Sequence, residues 1–250
     1  MKKRGLLYIG IILGTVLIII LTNIMMRNSY IKSVEVNIIY PTKDRIILKQ
    51  EIENDLTKHF GVFTKQKRKQ IEVNTVKLYL EDKNFVEQAS VSISITGVLK
   101  ISVTQRSAIA RVYNRRNETF YIDKNMCILK SENGKAADVV VVSGNITDTV
   151  KSTIDSVKNK QMFEIFTLAT LINNDSILKY QIDQIVRKDT DYILIPKIGE
   201  YDIALGGKTD WEDELIRLHY LYKKAFIKNG WEKYSHIDLR FKNQVVCTRK

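Results

Sequence analysis

The sequence predicts a single transmembrane helix followed by an α+β ectodomain. The ectodomain reads as a β-α-α-β-β module and then a mainly antiparallel β domain with two helices. Three observations carry this. Residues 5–26 read GLLYIGIILGTVLIIILTNIMM without a charge. Beyond them, short stretches with apolar residues at every second position alternate with longer ones at steps of three and four. Hydrophobic content of 44% and charged content of 27% are globular values, so a disordered tether is excluded.

At a rise of about 1.5 Å per residue, a helix over residues 5–26 covers roughly the 30 Å hydrocarbon core of a bilayer. Its side chains, Leu6, Leu13, Val16 and Leu21 among them, form the membrane anchor. Lys2, Lys3 and Arg4 ahead of it are the topology signal: this 1–4 tail stays in the cytoplasm and the remainder is exported. A cleaved signal peptide is the alternative. Its apolar core would be about 7 to 15 residues long and end at a small-residue site, which Asn23 to Arg27 does not offer.

Only 2 prolines and 11 glycines exclude a proline-rich stalk or a collagen-like spacer. The formal net charge of +12, or +9 without Lys2, Lys3 and Arg4, calls for an anionic partner. For an exported domain that means lipid headgroups, acidic envelope polymers or an acidic protein, and not nucleic acid. The densest basic run, Lys65-Gln66-Lys67-Arg68-Lys69, reads as a solvated loop. Cys127 and Cys247 form neither a disulfide framework nor a metal spacing, and each is expected to be a small, reduced side chain.

Residues 27–105 form the first module. Val34, Val36 and Ile38 alternate with Glu35 and Asn37 as a half-buried strand. Asp44 is expected to cap a helix with Leu48, Ile52, Leu56 and Phe60 along one stripe, stopped by Gly61. Asn74 is expected to cap a second helix carrying Val76, Tyr79 and Leu80. A strand with Ala89, Val91, Ile93 and Ile95 at period two turns at Thr96-Gly97. It returns through Leu99, Ile101 and Val103, so the two strands pair antiparallel. Leu48, Ile52 and Leu56 are expected to meet Val91, Ile93, Leu99 and Ile101 in the core.

An anchor followed by this order resembles the POTRA module of the FtsQ/DivIB family of bacterial cell-division proteins. Asn84 to Val91 (NFVEQASV) is similar to the family's "NPxVxxAxV", and Gly97 to Arg106 to its "GxLxIxVxER". Phe85 stands in place of the family's proline, and Ser107-Ala108-Ile109-Ala110 lacks another. Tyr121-Ile122-Asp123-Lys124-Asn125 resembles the "hhDxxG" turn, with Asn125 expected in the left-handed position of the glycine. His236-Ile237-Asp238-Leu239-Arg240-Phe241 resembles the terminal "IDLRY".

Residues 106–250 form the second domain. Short strands are expected at 109–113, 119–122, 127–129, 182–186, 192–195 and 201–205. The run Val139 to Val142 reads as a strand buried on both faces. Met162, Ile165, Phe166 and Ala169 mark one helix. Asp210 is expected to cap the other, with Glu212, Asp213 and Glu214 in its first turn, Lys223, Lys224 and Lys228 near its end, and Leu215, Leu218, Tyr222 and Phe226 facing the core. After a turn at Lys242-Asn243 the chain closes with Gln244 to Cys247, and Ile237 to Val246 together read as the C-terminal strand.

No nucleophile elbow, phosphate loop or metal spacing accompanies His59, His219 or His236, and Asp189 and Asp191 read as a solvated turn. The expectation is therefore no catalytic residue, no metal and no cofactor. Two functional classes stay open. The resemblance implies a non-catalytic divisome scaffold that links early and late division proteins at the septum and helps control septal peptidoglycan synthesis. Its partners would be FtsB-like and FtsL-like proteins, with FtsK, FtsW and the septal transpeptidase beyond them. The other class is an anchored envelope protein using a POTRA-like module for secretion or polypeptide handling, or an anchored wall-modifying enzyme. Under the first, Ile237, Leu239, Arg240, Phe241, Val245 and Val246 would receive an FtsB-like strand. Phe241 would anchor a partner side chain and Arg240 would meet a partner carboxylate. A terminal strand that merely closes the domain is the structural alternative.

Overall fold

The computed structural model describes residues 2–131, 136–149, 154–157, 160–207, 211–226 and 230–250. The chain divides into two units, Met1–Gln105 and Arg106–Lys250.

The first unit opens with helix α1 (Lys2–Asn28). Leu13, Val16 and Leu21 are exposed on it, and its Ile11–Asn28 stretch is long and apolar enough to cross a membrane. Its two threonine hydroxyls are satisfied within the helix: that of Thr15 donates to Ile12 O and that of Thr22 to Ile18 O, both at 2.9 Å. Lys2, Lys3, Arg4 and Leu6 belong to its first two turns. Then come β1 (Ser33–Ile39), α2 (Lys49–Phe60), α3 (Val73–Glu81), β2 (Val86–Ile93) and β3 (Val98–Gln105). Two single 3₁₀ turns, Phe63–Lys65 and Arg68–Gln70, link the helices.

The sheet order is β1-β3-β2, with β1 parallel and β2 antiparallel to β3. The register sets Val34, Val36 and Ile38 beside Leu99, Ile101 and Val103, so the alternating residues share one face. α2 packs on β1 and α3 on β2, burying Ile52, Leu56, Val76 and Leu80.

Four expectations for this unit need correction. Asp44 does not cap α2, because Gln105 holds the approach extended. The buried Gln105 Oε1 accepts the N–H groups of Ile46 and Ile47 at 2.8 and 3.0 Å, and its Nε2 donates to Asp44 O at 3.0 Å. The helix therefore starts at Lys49. Leu48, at its N-cap, is 51% exposed, and Ile46 and Ile47 are buried in its stead. Asn74 lies inside α3, with Glu72 at the cap. Val91 and Ile93 are only half-buried, and Ile95 lies in the hairpin turn, 81% exposed.

The second unit runs β4 (Ala108–Tyr113), β5 (Thr119–Asp123), β6 (Cys127–Lys130), β7 (Val140–Gly144), β8 (Ile154–Ser156), α4 (Lys160–Asn174), α5 (Leu178–Gln181), β9 (Ile182–Lys188), β10 (Asp191–Pro196), β11 (Asp202–Leu205), α6 (Trp211–Tyr220), β12 (Tyr234–Asp238) and β13 (Val246–Arg249). Among the described residues its strands form one sheet, ordered β13-β12-β11-β10-β9-β7-β4-β5-β6-β8. Most neighbours are antiparallel; β4 with β7, β7 with β9, and β11 with β12 are parallel. α4 and α6 share one core with the sheet. Leu215, Leu218, Tyr222 and Phe226 are buried as the stripe predicts. A π-helical turn, Leu221–Phe226, carries the stripe past the end of α6, and the Tyr201 and Tyr222 hydroxyls meet at 2.8 Å.

Here too the outcome differs in places. Val142 is buried, but Val140 and Val141 are half-buried, so β7 has one well-covered face. The left-handed position of the Asp123 turn falls on Met126 (φ 61°) and not on Asn125. The turn is organised instead by the fully buried Asp123, whose Oδ1 accepts the N–H groups of Asn125 and Cys127 and whose Oδ2 meets Arg106 Nη1 at 2.8 Å. The Asp210 cap and Lys228 lie outside the described residues.

Ile52→Asp in the full chain should destabilise the first unit by about 3 kcal/mol or more, the scale of an unpaired buried charge. Urea unfolding read by amide exchange in α2 and β3 checks this. Unchanged protection there refutes the core assignment.

Candidate functional site

Among the described residues the second unit ends in an open sheet edge. β13 is the terminal strand of the order and pairs antiparallel with β12: Asp238 opposite Val246, Ile237 opposite Cys247, His236 opposite Thr248. On its other side β12 runs parallel to β11, with His236 beside Asp202 and its Nδ1 2.6 Å from Asp202 Oδ1. β12 is thus paired on both sides. The Lys250 N–H donates inward to Lys233 O at 3.0 Å. By the alternation of an antiparallel ladder, the N–H groups of Cys247 and Arg249 then face the open edge.

This placement corrects the sequence expectation for the terminal strand. Residues 237–246 are not one strand: β12 stops at Asp238, residues 239–245 form a connection, and the free edge lies on Val246–Arg249. Ile237 and Leu239 are fully buried in the core and present no side chain to a partner. Val245 is partly buried against the same core. Arg240 is engaged within the chain: its Nε and Nη2 donate to Asp238 at 2.9 and 2.6 Å, and Asp191 lies 3.8 Å away. Phe241 and Val246 are the apolar residues left outward, 51% and 41% exposed.

The residue that sequence reasoning missed is Arg217 on α6. Its Nε donates to Asp213 Oδ2 one turn earlier at 3.0 Å, which aims the guanidinium. Nη2 donates to Leu239 O at 3.0 Å and Nη1 to Phe241 O at 2.9 Å, while Nη1 also meets Gln244 O. One side chain thereby satisfies three carbonyls of the connection that no strand pairs. The Asp213–Arg217 spacing of four on a helix was the signal in the sequence. Beside the clamp lies an open groove of about 1030 Å³, lined by Asp191, Glu212, Asp213, Arg217, Arg240 and Lys242 among others. Its charges are mixed.

Cys127 and Cys247 sit on β6 and β13, near opposite ends of the sheet order, and are not disulfide-bonded to each other. His219 Nδ1 lies 2.8 Å from Asp175, which also accepts the N–H groups of Ile177 and Leu178 to start α5. Both described histidine–aspartate pairs thus brace secondary structure. Among the described residues no group of three or more His, Cys, Asp or Glu side chains could hold a metal ion.

The chain thus combines an N-terminal helix long and apolar enough to cross a membrane, a small α/β module and a mainly antiparallel sheet whose described residues end in an open edge. A family model described as "FtsQ/DivIB, C-terminal related" matches residues 107–248, more than half of the chain. The chain belongs to this family, which associates it with cell division and fits a single-pass membrane protein. No curated protein matches the chain.

The Arg240 guanidinium, hydrogen-bonded to Asp238, holds that carboxyl below the usual carboxylate range even though burial pushes it up. A carboxylate depressed by folding contributes stability that is complete above its unfolded value, near 4, and is lost as pH falls through the folded value. Protection of the β13 amides, corrected for intrinsic exchange, should therefore be flat from pH 7 to 5 and decline below about 4. Asp238→Asn should flatten the acid limb, and an unchanged limb in that variant contradicts the assignment.

Proposed function

We propose that this chain is a non-catalytic division scaffold whose C-terminal sheet edge receives a strand from an FtsB-like partner acting with an FtsL-like protein. The observation that carries the reading is the free edge of β13 in a chain of the FtsQ/DivIB family, flanked by exposed Phe241 and Val246. Backbone pairing with the outward groups of Cys247 and Arg249 supplies affinity, and the apolar pair supplies a pocket for one partner side chain. Arg240 keeps its internal partner and shapes the rim. On this reading the N-terminal tail is cytoplasmic, α1 spans the cytoplasmic membrane, everything after α1 lies outside it at the septum, and residues 27–105 act as a POTRA domain in recruitment. FtsK, FtsW and the septal transpeptidase are the further members of the assembly.

Two substitutions test the edge. Phe241→Glu places a charge where an apolar anchor is needed, and Cys247→Pro deletes an outward N–H at a position where an edge strand tolerates proline. Each should lower capture of FtsB-like and FtsL-like proteins from solubilised membranes by at least tenfold, with the amide protection of β9 and β10 unchanged. Full capture by both folded variants returns the edge to a structural role.

A further inference from the structure

The basic run Lys65 to Lys69, which reads in the sequence as a solvated loop, is fastened to the end of the anchor. The Arg68 N–H donates to Ser29 O at 2.9 Å, the Ile31 N–H donates to Gln66 O at 3.1 Å, and Tyr30 and Lys67 form an isolated antiparallel bridge. Lys67 Nζ also lies 5.9 Å from the centre of the Tyr30 ring. Arg68 Nη2 donates to Ile95 O at 2.9 Å in the β2–β3 turn, which the Lys32 N–H joins by donating to Gly97 O at 2.9 Å. Gly97, at φ +93°, leaves room there: a Cβ would stand 2.9 Å from Arg68 Nη2.

The result is a cavity of about 380 Å³ at the last turns of α1, lined by Asn23, Met26, Arg27, Arg68, Lys69, Ile71, Glu72 and Ile93. That volume lies within the usual range for ligand sites. Three cations face one carboxylate, Glu72, and no ion pair engages Arg27, Lys65, Lys67, Arg68 or Lys69 among the described residues. Arg68 Nε is buried without a hydrogen-bond partner there. Beside the cavity, Tyr30 and Ile95 are exposed, an aromatic and an aliphatic side chain at the level where a spanning α1 leaves the hydrocarbon. Residues 65–69 are too far along the chain to influence insertion, which is set within about 15–20 residues of the span. Folding alone brings them to the membrane.

We infer that this cavity binds the phosphodiester headgroup of an anionic phospholipid, with Arg27, Arg68 and Lys69 around the phosphate and Met26, Ile71 and Ile93 against the glycerol and upper acyl carbons. The inference rests on α1 being embedded in the bilayer, as proposed above. Its effect is to seat the first unit on the membrane surface through the Tyr30 and Ile95 side chains. Each basic residue near an anionic lipid surface is worth about 1 kcal/mol, or roughly fivefold in affinity.

Native mass spectrometry of the detergent-solubilised full chain, titrated with phosphatidylglycerol or phosphatidylcholine, tests this. Phosphatidylglycerol should bind at least tenfold more tightly. Lys69→Gln, an exposed change that leaves the Arg68 contacts in place, should weaken it about fivefold, while Lys58→Gln on α2 should not. Equal binding of the two lipids, or equal effects of the two variants, overturns the inference. So does displacement by inorganic phosphate at millimolar concentration, which makes the site one for free phosphate. Release of the chain from membranes by alkaline carbonate overturns the anchor reading and this inference together, whereas a carbonate-resistant chain without lipid preference fails this inference alone.

Discussion

The guanidinium of Arg217 fixes the geometry on which the end of the sheet depends. After Asp238 the chain leaves β12, and the carbonyls of Leu239, Phe241 and Gln244 have only Arg217 as a side-chain donor among the described contacts. Two of the three contacts are exposed to water and the Phe241 carbonyl also accepts the Gln244 N–H at 3.3 Å, so the guanidinium acts chiefly by fixing the shape of the loop. A four-residue edge strand offers little stability of its own. The connection is therefore set first by α6, and β13 returns along β12 in the register that the connection allows. Asp213 restrains Arg217 from the preceding turn, and Asp238 holds Arg240 at the other side of the same loop.

This arrangement separates two demands that a terminal strand places on a protein. An open edge invites pairing with any exposed strand, including that of a second copy. β13 is only four residues long and ends in Arg249, and a short edge with a charged residue disfavours edge-to-edge pairing of two copies. A partner with acidic or neutral residues at the matching positions escapes that repulsion. The apolar contribution at the edge comes from Phe241 before the strand and Val246 at its start, a smaller patch than one that drives aggregation.

Much of the fold was legible in the sequence because its signals were local. The uncharged run of α1 forms one long helix, β1, β2 and β3 form where the alternation says, and Leu99, Ile101 and Val103 and the Leu215 to Phe226 stripe bury what their period says. The errors came from contacts distant in sequence. Asp44 looked like a helix cap until Gln105, some sixty positions away, claimed the backbone beyond it. Leu48 matched a helical stripe, but the stripe begins one turn later and Ile46 and Ile47 fill the space. β8 and α5 are too short to carry a period. At the candidate site the segment from Ile237 to Phe241 drew attention through its resemblance to the family's ending, and its residues divide three ways. Ile237 and Leu239 are core, Asp238 and Arg240 pair with each other, and only Phe241 remains outward. Which of two alternating strands is the edge depends on sheet order, and sequence periodicity carries no information about order.

The edge can be read residue by residue. In the free protein, Val246 and Thr248 point their N–H groups towards β12, whereas Cys247 and Arg249 point theirs outward. Amide exchange of the full chain in detergent, resolved at single residues with and without an FtsB-like partner, separates these sets. Strand addition predicts that the partner slows exchange at Cys247 and Arg249 by at least tenfold and changes Val246 and Thr248 far less. Partner binding that leaves Cys247 and Arg249 exchanging at their free rates would contradict it.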